Sequence, residues 1–384
     1  MSATSRGCLA TESGSVRVRP ASAPWYEASK DAGAGQSIDH SQRQRRRWRW
    51  ELLRWQWEHS SLERLRHCRL YGTGGQVAVV AGLGRSYVAG CQTCGSVWAC
   101  PVCSAIIRQR RAELIEAGGL AWTAQEGHWL AFLTLTLRHG QFESLAALYG
   151  GLRACWKSLR QGRWWRELGW QGFWRSVEVT YGANGWHPHL HILLLGEGAP
   201  AEVGELGAEV SSRWCDLVVG AGLRATSFER GARLQMVTTG GDSLAQYLTK
   251  VLDGEGRSWG VGMELARADM KRGGKGLSPF EVLELASTGE AGWAPRWWEY
   301  EAATKGRRCI ESSRGMSRLV GVADVEDSEL VAQDEGGEVV CVLDGLSWRR
   351  IARAGLVPDL LEKAEEGDGP ATVSFLEALL RVVA

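Results

Sequence analysis

The chain has 384 residues, of which 44% are hydrophobic and 23% charged, which is typical of one large or two ordinary globular domains. No apolar run reaches the roughly 18 residues of a membrane span, and no positive-then-apolar secretion signal opens the sequence, so we expect a cytoplasmic protein. The net charge of +1 hides an asymmetry: residues 321–384 carry 5 basic and 14 acidic side chains, whereas the rest carry 40 basic and 30 acidic. A basic body suits a nucleic-acid partner, and the acidic segment predicts a solubilising surface, a masking segment or a protein contact.

The first 84 residues divide into two segments. Residues 1–40 are rich in Ser, Ala and Gly without periodicity and are predicted to be disordered. Residues 41–84 begin with arginines and interleaved tryptophans and predict a basic helix from about Arg45. Arg45, Arg46 and Arg47 suit phosphate neutralisation, and the tryptophans suit base stacking. The alternative is an amphipathic helix that packs its Trp face on the body while its arginines stay solvated.

Residues 85–120 contain a cysteine pattern followed by a basic helix. Cys91, Cys94, Cys100 and Cys103 form two C-x-x-C pairs separated by five residues. Cysteines in a chain without a secretion signal are expected to be thiols, and paired C-x-x-C turns predict a structural zinc site, with redox pairs or coincidence as alternatives. The other cysteines, Cys68 among them, are predicted to have no special role.

The next part of the chain predicts an α+β fold with a largely antiparallel sheet. The predicted order is a strand at 128–140, a helix at 144–159, strands at 173–181 and 187–195, a helix at 201–219, a strand at 233–238 and a helix at 242–252.

Residues 185–195, GWHPHLHILLL, predict a metal site. His189 and His191 are two apart in an apolar strand, so their imidazoles leave one face and leave coordination positions free for a carboxylate, water and substrate. The preceding Asn184-Gly185 pair predicts a two-residue hairpin loop. That register places Glu178 opposite His191 and makes Glu178 the third candidate ligand, the alternative being an exposed strand carboxylate.

The helix predicted at 242–252 carries a second chemical pattern. Tyr247 and Lys250 are i and i+3 and therefore neighbours on one helix face. An adjacent ammonium and a metal-polarised phosphate would make phenol attack feasible. The alternative is an amphipathic Tyr beside a solvated Lys, with no chemical role. The histidine pattern in the same chain favours the interpretation of Tyr247 as a nucleophile.

Together, the ordered motifs FLTLT, GWHPHLHILLL and YLTK, preceded by CGSVWACPVC and followed by WWEYEAATKGRRCIESSRG, resemble rolling-circle replication initiators of bacterial plasmids, which are HUH endonucleases. The resemblance covers about residues 91–315. It implies that His189 and His191 are the metal ligands, Tyr247 the nicking tyrosine and Lys250 its helper. Thr134 and Thr136 belong to the first motif, for which the resemblance implies structural support.

This resemblance implies an HUH domain at 121–320, with an antiparallel RRM/ferredoxin-like sheet covered by helices. The implied reaction is cleavage of one strand at an origin hairpin, which leaves a 5′-phosphotyrosine link and a free 3′-OH primer. The implied metal is Mg²⁺ or Mn²⁺. The implied partners are single-stranded or hairpin plasmid origin DNA, a host helicase and a host DNA polymerase.

Two positions depart from the family pattern. Ser243 stands where relatives carry the glutamate that activates the terminating water, so neighbouring Asp242 is our first choice for that role, ahead of Glu178 or a second protomer's tyrosine. Val251 stands where some relatives carry a second tyrosine. The chain therefore resembles a single-tyrosine enzyme.

Further basic residues are candidate DNA contacts. They are Lys271, Arg272 and Lys275 in a predicted loop, and Lys305, Arg307 and Arg308 after a Trp-rich helix. The Trp-rich stretch is equally compatible with a packing surface. Residues 321–384 are predicted to form a small acidic accessory domain of a strand and helices.

Two other functions compete. An HUH relaxase or transposase would share the nicking chemistry, but a relaxase usually places its tyrosine before the histidines. A zinc-containing DNA-binding regulator without catalysis would leave Tyr247 and the histidines inert.

Overall fold

The computed structural model describes residues 40–82, 85–198, 203–237, 276–332 and 336–383. The described helices are α1 (His40–His59), α2 (Glu63–Arg66), α3 (Pro101–Thr123), α4 (Leu145–Gln161), α5 (Arg163–Glu167), α6 (Val203–Gly220), α7 (Phe228–Gly231), α8 (Pro279–Ser287), α9 (Trp293–Thr304), α10 (Met316–Val320), α11 (Asp327–Ala332), α12 (Gly345–Ala354), α13 (Val357–Ala364) and α14 (Gly369–Val382). The described strands are β1 (Gln76–Gly82), β2 (Arg85–Ala89), β3 (His128–Thr136), β4 (Gly172–Gly182), β5 (Gly185–Glu197), β6 (Ala232–Val237), β7 (Ile310–Ser312) and β8 (Glu338–Asp344). The predicted α+β class with antiparallel sheets is confirmed.

A five-stranded antiparallel sheet in the order β6-β3-β5-β4-β7 is the centre of the fold. Side chains alternate between the two faces along β3 and β5, so Thr134 and Thr136 share one face with His189 and His191, and Leu133, Leu135 and Leu190 take the other. Leu133 and Leu135 of β3 and Leu190 of β5 are fully buried on one of these faces. Their burial fixes which face the polar residues of the same strands take.

The two faces of this sheet belong to different apolar clusters. Leu190, Ile192 and Leu194 join the larger cluster, which contains the buried residues of α4 and α6. Leu193 and Leu195 join a smaller cluster with residues of α3 and α10. The second face is therefore apolar at the end where β5 finishes, and the histidines lie at its other end.

The start of α4 is fixed by side chains from two places. Ser144 Oγ accepts a hydrogen bond from Ala147 N at 3.3 Å, which is the usual role of a helix N-cap serine. Glu299 Oε1 of α9 accepts from Leu145 N at 2.8 Å, and its Oε2 accepts from Trp186 Nε1 at 2.8 Å. The same carboxylate thus ties the helix start to the first residues of β5.

A second sheet, β2-β1-β8, joins parts of the chain that the sequence had assigned to different domains. The segment 41–84 was expected to be helical and 321–384 to be a separate accessory domain. Instead, β1 pairs antiparallel with both β2 and β8, in a register that sets Val77 opposite Leu343. Both side chains are buried. Each segment alone lacks a strand partner, so the sheet requires both.

Helix α1 packs on the acidic C-terminal segment. Arg46 forms an ion pair with Glu365, and Arg47 Nη2 lies 2.9 Å from Asp359 and 2.7 Å from Glu362. The tryptophans of α1 also face the body, with Trp50 and Trp57 buried. The helix therefore packs its Trp face on the body, as the amphipathic interpretation predicted. Arg46 and Arg47 are not solvated as that interpretation expected, because they bind carboxylates of the same chain.

Among the described helices, none is long and apolar enough to cross a membrane.

Removal of the Glu365 carboxylate is expected to destabilise the protein. Its side chain is 2% exposed, and it also accepts from Ser86 N and Oγ at 3.2 Å, so Glu365→Ala leaves the half-buried Arg46 without this carboxylate partner. Such a loss costs about 3 kcal/mol of unfolding free energy. The matched control is Glu366→Ala, because Glu366 is 53% exposed and pairs only with Lys363 in the described chain; it should cost less than about 1 kcal/mol. Urea unfolding of both variants measures the difference, and equal losses would contradict the assignment.

Candidate metal centre

Two neighbouring strands bring the candidate ligands together. Glu178 of β4 is directly opposite His189 of β5, and His191 is opposite Ser176. Residues opposite one another in an antiparallel pair share a face, as do residues two apart along a strand. The side chains of Glu178, His189 and His191 therefore leave the sheet on the same side.

The predicted hairpin register was wrong by two residues. The loop is Ala183 and Asn184, with Gly182 paired to Gly185, so Glu178 opposes His189 rather than His191. The left-handed residue is Gly185, at φ 82°, which is typical of a turn followed by a glycine and not of an Asn-Gly turn centre. A shift of two residues keeps every side chain on its face, so the predicted grouping with Glu178 still forms.

The three side chains meet at one carboxylate oxygen. Glu178 Oε2 lies 2.9 Å from His189 Nε2 and 2.9 Å from His191 Nε2. All three side chains are 12% exposed or less. Burial alone would raise the pKa of Glu178, but the charges and hydrogen bonds of His189 and His191 outweigh it and hold that pKa well below its usual range. The carboxylate is therefore ionised and faces two ring nitrogens.

The neighbouring threonines of β3 support this arrangement from the same face. Thr134 is opposite His191, and its Oγ1 lies 3.3 Å from His191 Nδ1. Thr136 is opposite His189 but donates its hydroxyl to the carbonyl of Arg230. Thr134 thus fixes the ring orientation of one histidine, while His189 Nδ1 is buried without a hydrogen-bond partner in the described residues.

These three residues have the donor set of a divalent-metal site. One atom from each of Glu178, His189 and His191 lies within 4.8 Å of the other two. Two imidazole nitrogens and a carboxylate suit Mn²⁺ and similar ions, and a carboxylate oxygen suits Mg²⁺. The residues therefore fit a metal that keeps further positions for water and a phosphate oxygen.

The third histidine of the motif belongs to a different contact, which the sequence did not reveal. His139 Nδ1 lies 2.9 Å from the Asn184 carbonyl oxygen, and His139 Nε2 lies 2.7 Å from His187 Nδ1. Burial, with the nearby His189 and His139, lowers the pKa of His187 to about 4. His187 therefore stays neutral and joins the hairpin to the loop 137–144.

That loop carries an exposed aromatic ring. Phe142 is 98% exposed, although the loop around it is held in place. A Cβ on Gly185 would lie 3.2 Å from Gln141 Cα, so the loop and the hairpin turn are in close backbone contact. A fully exposed phenylalanine on a positioned loop is available for stacking on a base. In the sequence, the only sign of this role is that Phe142 comes shortly after a predicted strand.

Basic residues that the sequence had not singled out lie near the metal residues. Arg233 of β6 is opposite Thr134, shares its face and is exposed. Arg230, whose carbonyl accepts from Thr136, and Arg138, which follows β3, are also exposed. The sequence could not indicate that these arginines form a group, because Arg138 is far from the other two along the chain and only the pairing of the strands brings them together.

The basic residues predicted to contact DNA lie elsewhere. Arg46 and Arg47 bind the carboxylates of the acidic segment, and Arg45 lies on the same helix. Arg308 Nη2 lies 2.9 Å from Glu326 Oε1 at an exposed site, and Lys305 is exposed after α9. Arg307 lies over the ring of Tyr149, with 4.5 Å between its Cζ and the ring centroid.

The predicted residues Asp242, Ser243, Tyr247, Lys250, Lys271, Arg272 and Lys275 lie outside the described residues.

The cysteine cluster differs from the predicted one in a single member. Cys94, Cys100 and Cys103 come together with Cys68, and Cys91 is outside the group. Cys91 follows β2 in a bridge with Gly72, and burial raises its pKa to about 12. Cys68 could not be recognised from cysteine spacing, because strands β1 and β2 lie between it and its three partners in the sequence.

The fold and site define an α+β protein with a two-histidine, one-carboxylate cluster on its central sheet. A family model described as "Replication protein" matches residues 86–199, which contain the whole cluster. The chain is 32% identical over 379 residues to "Protein rep" of Streptomyces lividans, a match that covers 78% of this chain and 81% of that protein. The chain belongs to this family of replication proteins.

A shorter similarity extends to a protein with another name. The chain is 31% identical over 142 residues to the "Neomycin resistance protein" of Streptomyces cyanogenus, a match that covers 29% of this chain and 32% of that protein. No solved structure matches the chain significantly.

Loss of one ligand should weaken metal binding selectively. Glu178→Gln keeps the shape of the side chain but removes the charge shared by His189 and His191, so Mn²⁺ affinity should fall by more than about tenfold. The matched control is His187→Gln, because His187 lies two residues from His189 yet bonds to His139. Isothermal titration with Mn²⁺ measures both, and equal weakening would contradict the ligand assignment.

Proposed function

We propose that this replication protein initiates rolling-circle replication of a plasmid by nicking one strand of its origin DNA. The observation that carries the proposal is the position of Glu178 Oε2 between His189 Nε2 and His191 Nε2 on the central sheet. The match to "Protein rep" supports the replication role, and the order of motifs in the sequence supports the nicking chemistry.

In this proposal Glu178, His189 and His191 hold Mg²⁺ or Mn²⁺. The ion would polarise the scissile phosphate and reduce the repulsion that an anionic diester offers to a nucleophile. If His191 binds the metal through Nε2, its proton would lie on Nδ1, which could then donate a hydrogen bond to Thr134 Oγ1. The threonine of β3 thus sets the tautomer of one ligand.

Tyr247 is the proposed nucleophile, by resemblance to the family. Its phenol oxygen attacks phosphorus and forms a phosphotyrosine bond to the 5′ side, while the bond from phosphorus to the 3′ oxygen breaks. The phenol releases its proton to solvent water, and the departing 3′ oxygen takes up a proton from water to become the free 3′-OH. Lys250, three residues further along the sequence, would stabilise the developing phenolate, because a phenol with a pKa of about 10 is a weak nucleophile at neutral pH.

Termination needs a second transfer from the same covalent link. Ser243 has no basic side chain at neutral pH, so we assign the activation of the terminating water to Asp242. Because Val251 stands where a second tyrosine would be, the sequence favours termination by a base and water over attack by a second tyrosine of the same chain.

The origin strand is proposed to lie across the face that carries the metal residues. Arg233 shares that face, and exposed Arg230 and Arg138 add positive charge for phosphates. Phe142 would stack on an unpaired base, since its loop contacts the hairpin that carries the histidines. The 3′-OH then primes a host DNA polymerase, with a host helicase separating the strands in the cytoplasm.

A covalent protein–DNA adduct is the first expected result. Purified protein incubated with supercoiled and single-stranded origin DNA plus Mn²⁺ should give a slower protein band that carries DNA on a denaturing gel. The adduct should be absent in Tyr247→Phe and at least about a hundredfold reduced in His189→Ala, since loss of metal activation costs several kcal/mol of barrier.

Two matched variants make this result specific. Tyr71→Phe removes another phenol, whose ring contacts His67 and Arg349, and His59→Ala removes a histidine stacked on Trp55. Both should form the adduct normally. A native-gel shift without any adduct would defeat the nicking proposal and favour a DNA-binding regulator.

Phe142 should contribute to single-stranded DNA affinity. Base stacking on an aromatic ring is worth about 1–3 kcal/mol, so Phe142→Ala should weaken binding roughly 5- to 150-fold. Phe142→Tyr retains the ring and should bind normally, whereas Phe142→Leu keeps only apolar character and should resemble the alanine variant. Fluorescence anisotropy with a short labelled single strand measures all three, and a leucine variant that binds like wild type would exclude stacking.

A further inference from the structure

Four cysteine sulfurs from three separate parts of the chain meet in the interior. Cys68 follows α2, Cys94 lies in the loop before α3, and Cys100 and Cys103 lie at the start of α3. Cys68, Cys100 and Cys103 are fully buried, and Cys94 is 8% exposed. Among the described residues, the only other group of this kind is the Glu178 cluster.

The backbone explains why Cys68 and not Cys91 joins the group. Arg69 N donates to Gln92 O at 2.7 Å, and Gln92 N donates to Tyr71 O at 2.8 Å. These two hydrogen bonds hold the segment of Arg69 beside the segment of Gln92, which brings Cys68 next to Cys94. The amide of Cys94 donates to Cys68 Sγ at 3.4 Å.

The distances between sulfurs are those of a metal site. Cys68 Sγ lies 3.7 Å from Cys100 Sγ and 3.5 Å from Cys103 Sγ, and Cys94 Sγ lies 3.8 Å from Cys103 Sγ. A tetrahedral zinc with Zn–S bonds of about 2.3 Å places its sulfurs about 3.8 Å apart. A disulfide would require about 2.05 Å. All nine described cysteines are free thiols.

Backbone amides point at the sulfurs in the way that stabilises thiolates. Cys103 N donates to Cys100 Sγ and Ser96 N donates to Cys94 Sγ, each at 3.4 Å. Together with the Cys94 amide on Cys68 Sγ, three of the four sulfurs accept a main-chain hydrogen bond. Such bonds favour the charged sulfur that a metal requires.

A buried guanidinium supplies charge next to the cluster. Arg69 is buried, its Nη1 donates to the Val88 carbonyl at 2.9 Å, its Nε has no partner, and in the described chain it forms no salt bridge with a carboxylate. Four thiolates on Zn²⁺ leave a net charge of −2, and a buried cation is the expected compensation.

We propose that Cys68, Cys94, Cys100 and Cys103 bind a structural zinc ion, and that Cys91 is not a ligand. The site has four protein ligands and no open position, so it is a structural and not a catalytic centre. It joins the end of the α1–α2 segment to the start of α3, whose far end packs against the central sheet through Ile115 and Trp122. The proposal does not depend on the nicking chemistry.

The test compares two cysteine variants that the structure separates. Wild type, Cys68→Ser and Cys91→Ser are purified without chelators, and zinc is counted by inductively coupled plasma mass spectrometry. Wild type and Cys91→Ser should each hold about one zinc per chain, and Cys68→Ser should lose most of it. Thiol titration of the denatured wild type should find every cysteine reduced.

X-ray absorption at the zinc edge keeps the proposal testable if Cys68→Ser fails to fold. Cys91→Ser should retain a shell of four sulfurs at about 2.3 Å, as in wild type. A shell reduced to three sulfurs in Cys91→Ser, a wild type without zinc, or a disulfide among these cysteines would each overturn the proposal. None of these readouts uses DNA, so a failure of the nicking proposal leaves them unaffected.

Discussion

The centre of this molecule depends on one contact: a single oxygen of Glu178 lies 2.9 Å from two imidazole nitrogens on the adjacent strand. A buried carboxylate is costly unless donors or cations surround it, so the pairing of β4 with β5 has to place both rings within reach. A slip of one residue would turn Glu178 to the opposite face, against the leucines. The leucines of β3 and β5, buried behind the site, oppose such a slip.

The face on which the site lies was predictable, but the register was not. Alternation in β5 sends His189 and His191 to one side, and any register that moves Glu178 by two residues keeps it there. The choice between registers depends on whether Asn184 takes the left-handed conformation together with Gly185, as the predicted turn requires, or Gly185 takes it alone, as observed. Tertiary contact decides, since Gly185 lies against the backbone of Gln141, which is remote in sequence.

The remaining differences share a cause. Cys68, the pairing of β1 with β8 and the carboxylates that bind Arg46 and Arg47 all involve residues far apart along the chain. Spacing patterns reveal neighbours on one helix or strand, which is why most elements of the central sheet appear near their predicted positions. They do not reveal which distant segment covers a surface, so the sequence of α1 alone predicts a free basic face where the structure has ion pairs.

The association of α1 with α13 also constrains how the chain folds during synthesis. Arg47 and Glu362 are 315 residues apart, so the ribosome exposes the basic helix long before its acidic partner exists. Domains usually fold as they emerge, and contacts of such high sequence separation form late because loop closure must precede them. For most of its synthesis, the nascent protein therefore presents a row of arginines and tryptophans that the finished molecule covers in part. During that interval the helix is open to chaperones and to any polyanion nearby, including the messenger RNA from which it is made.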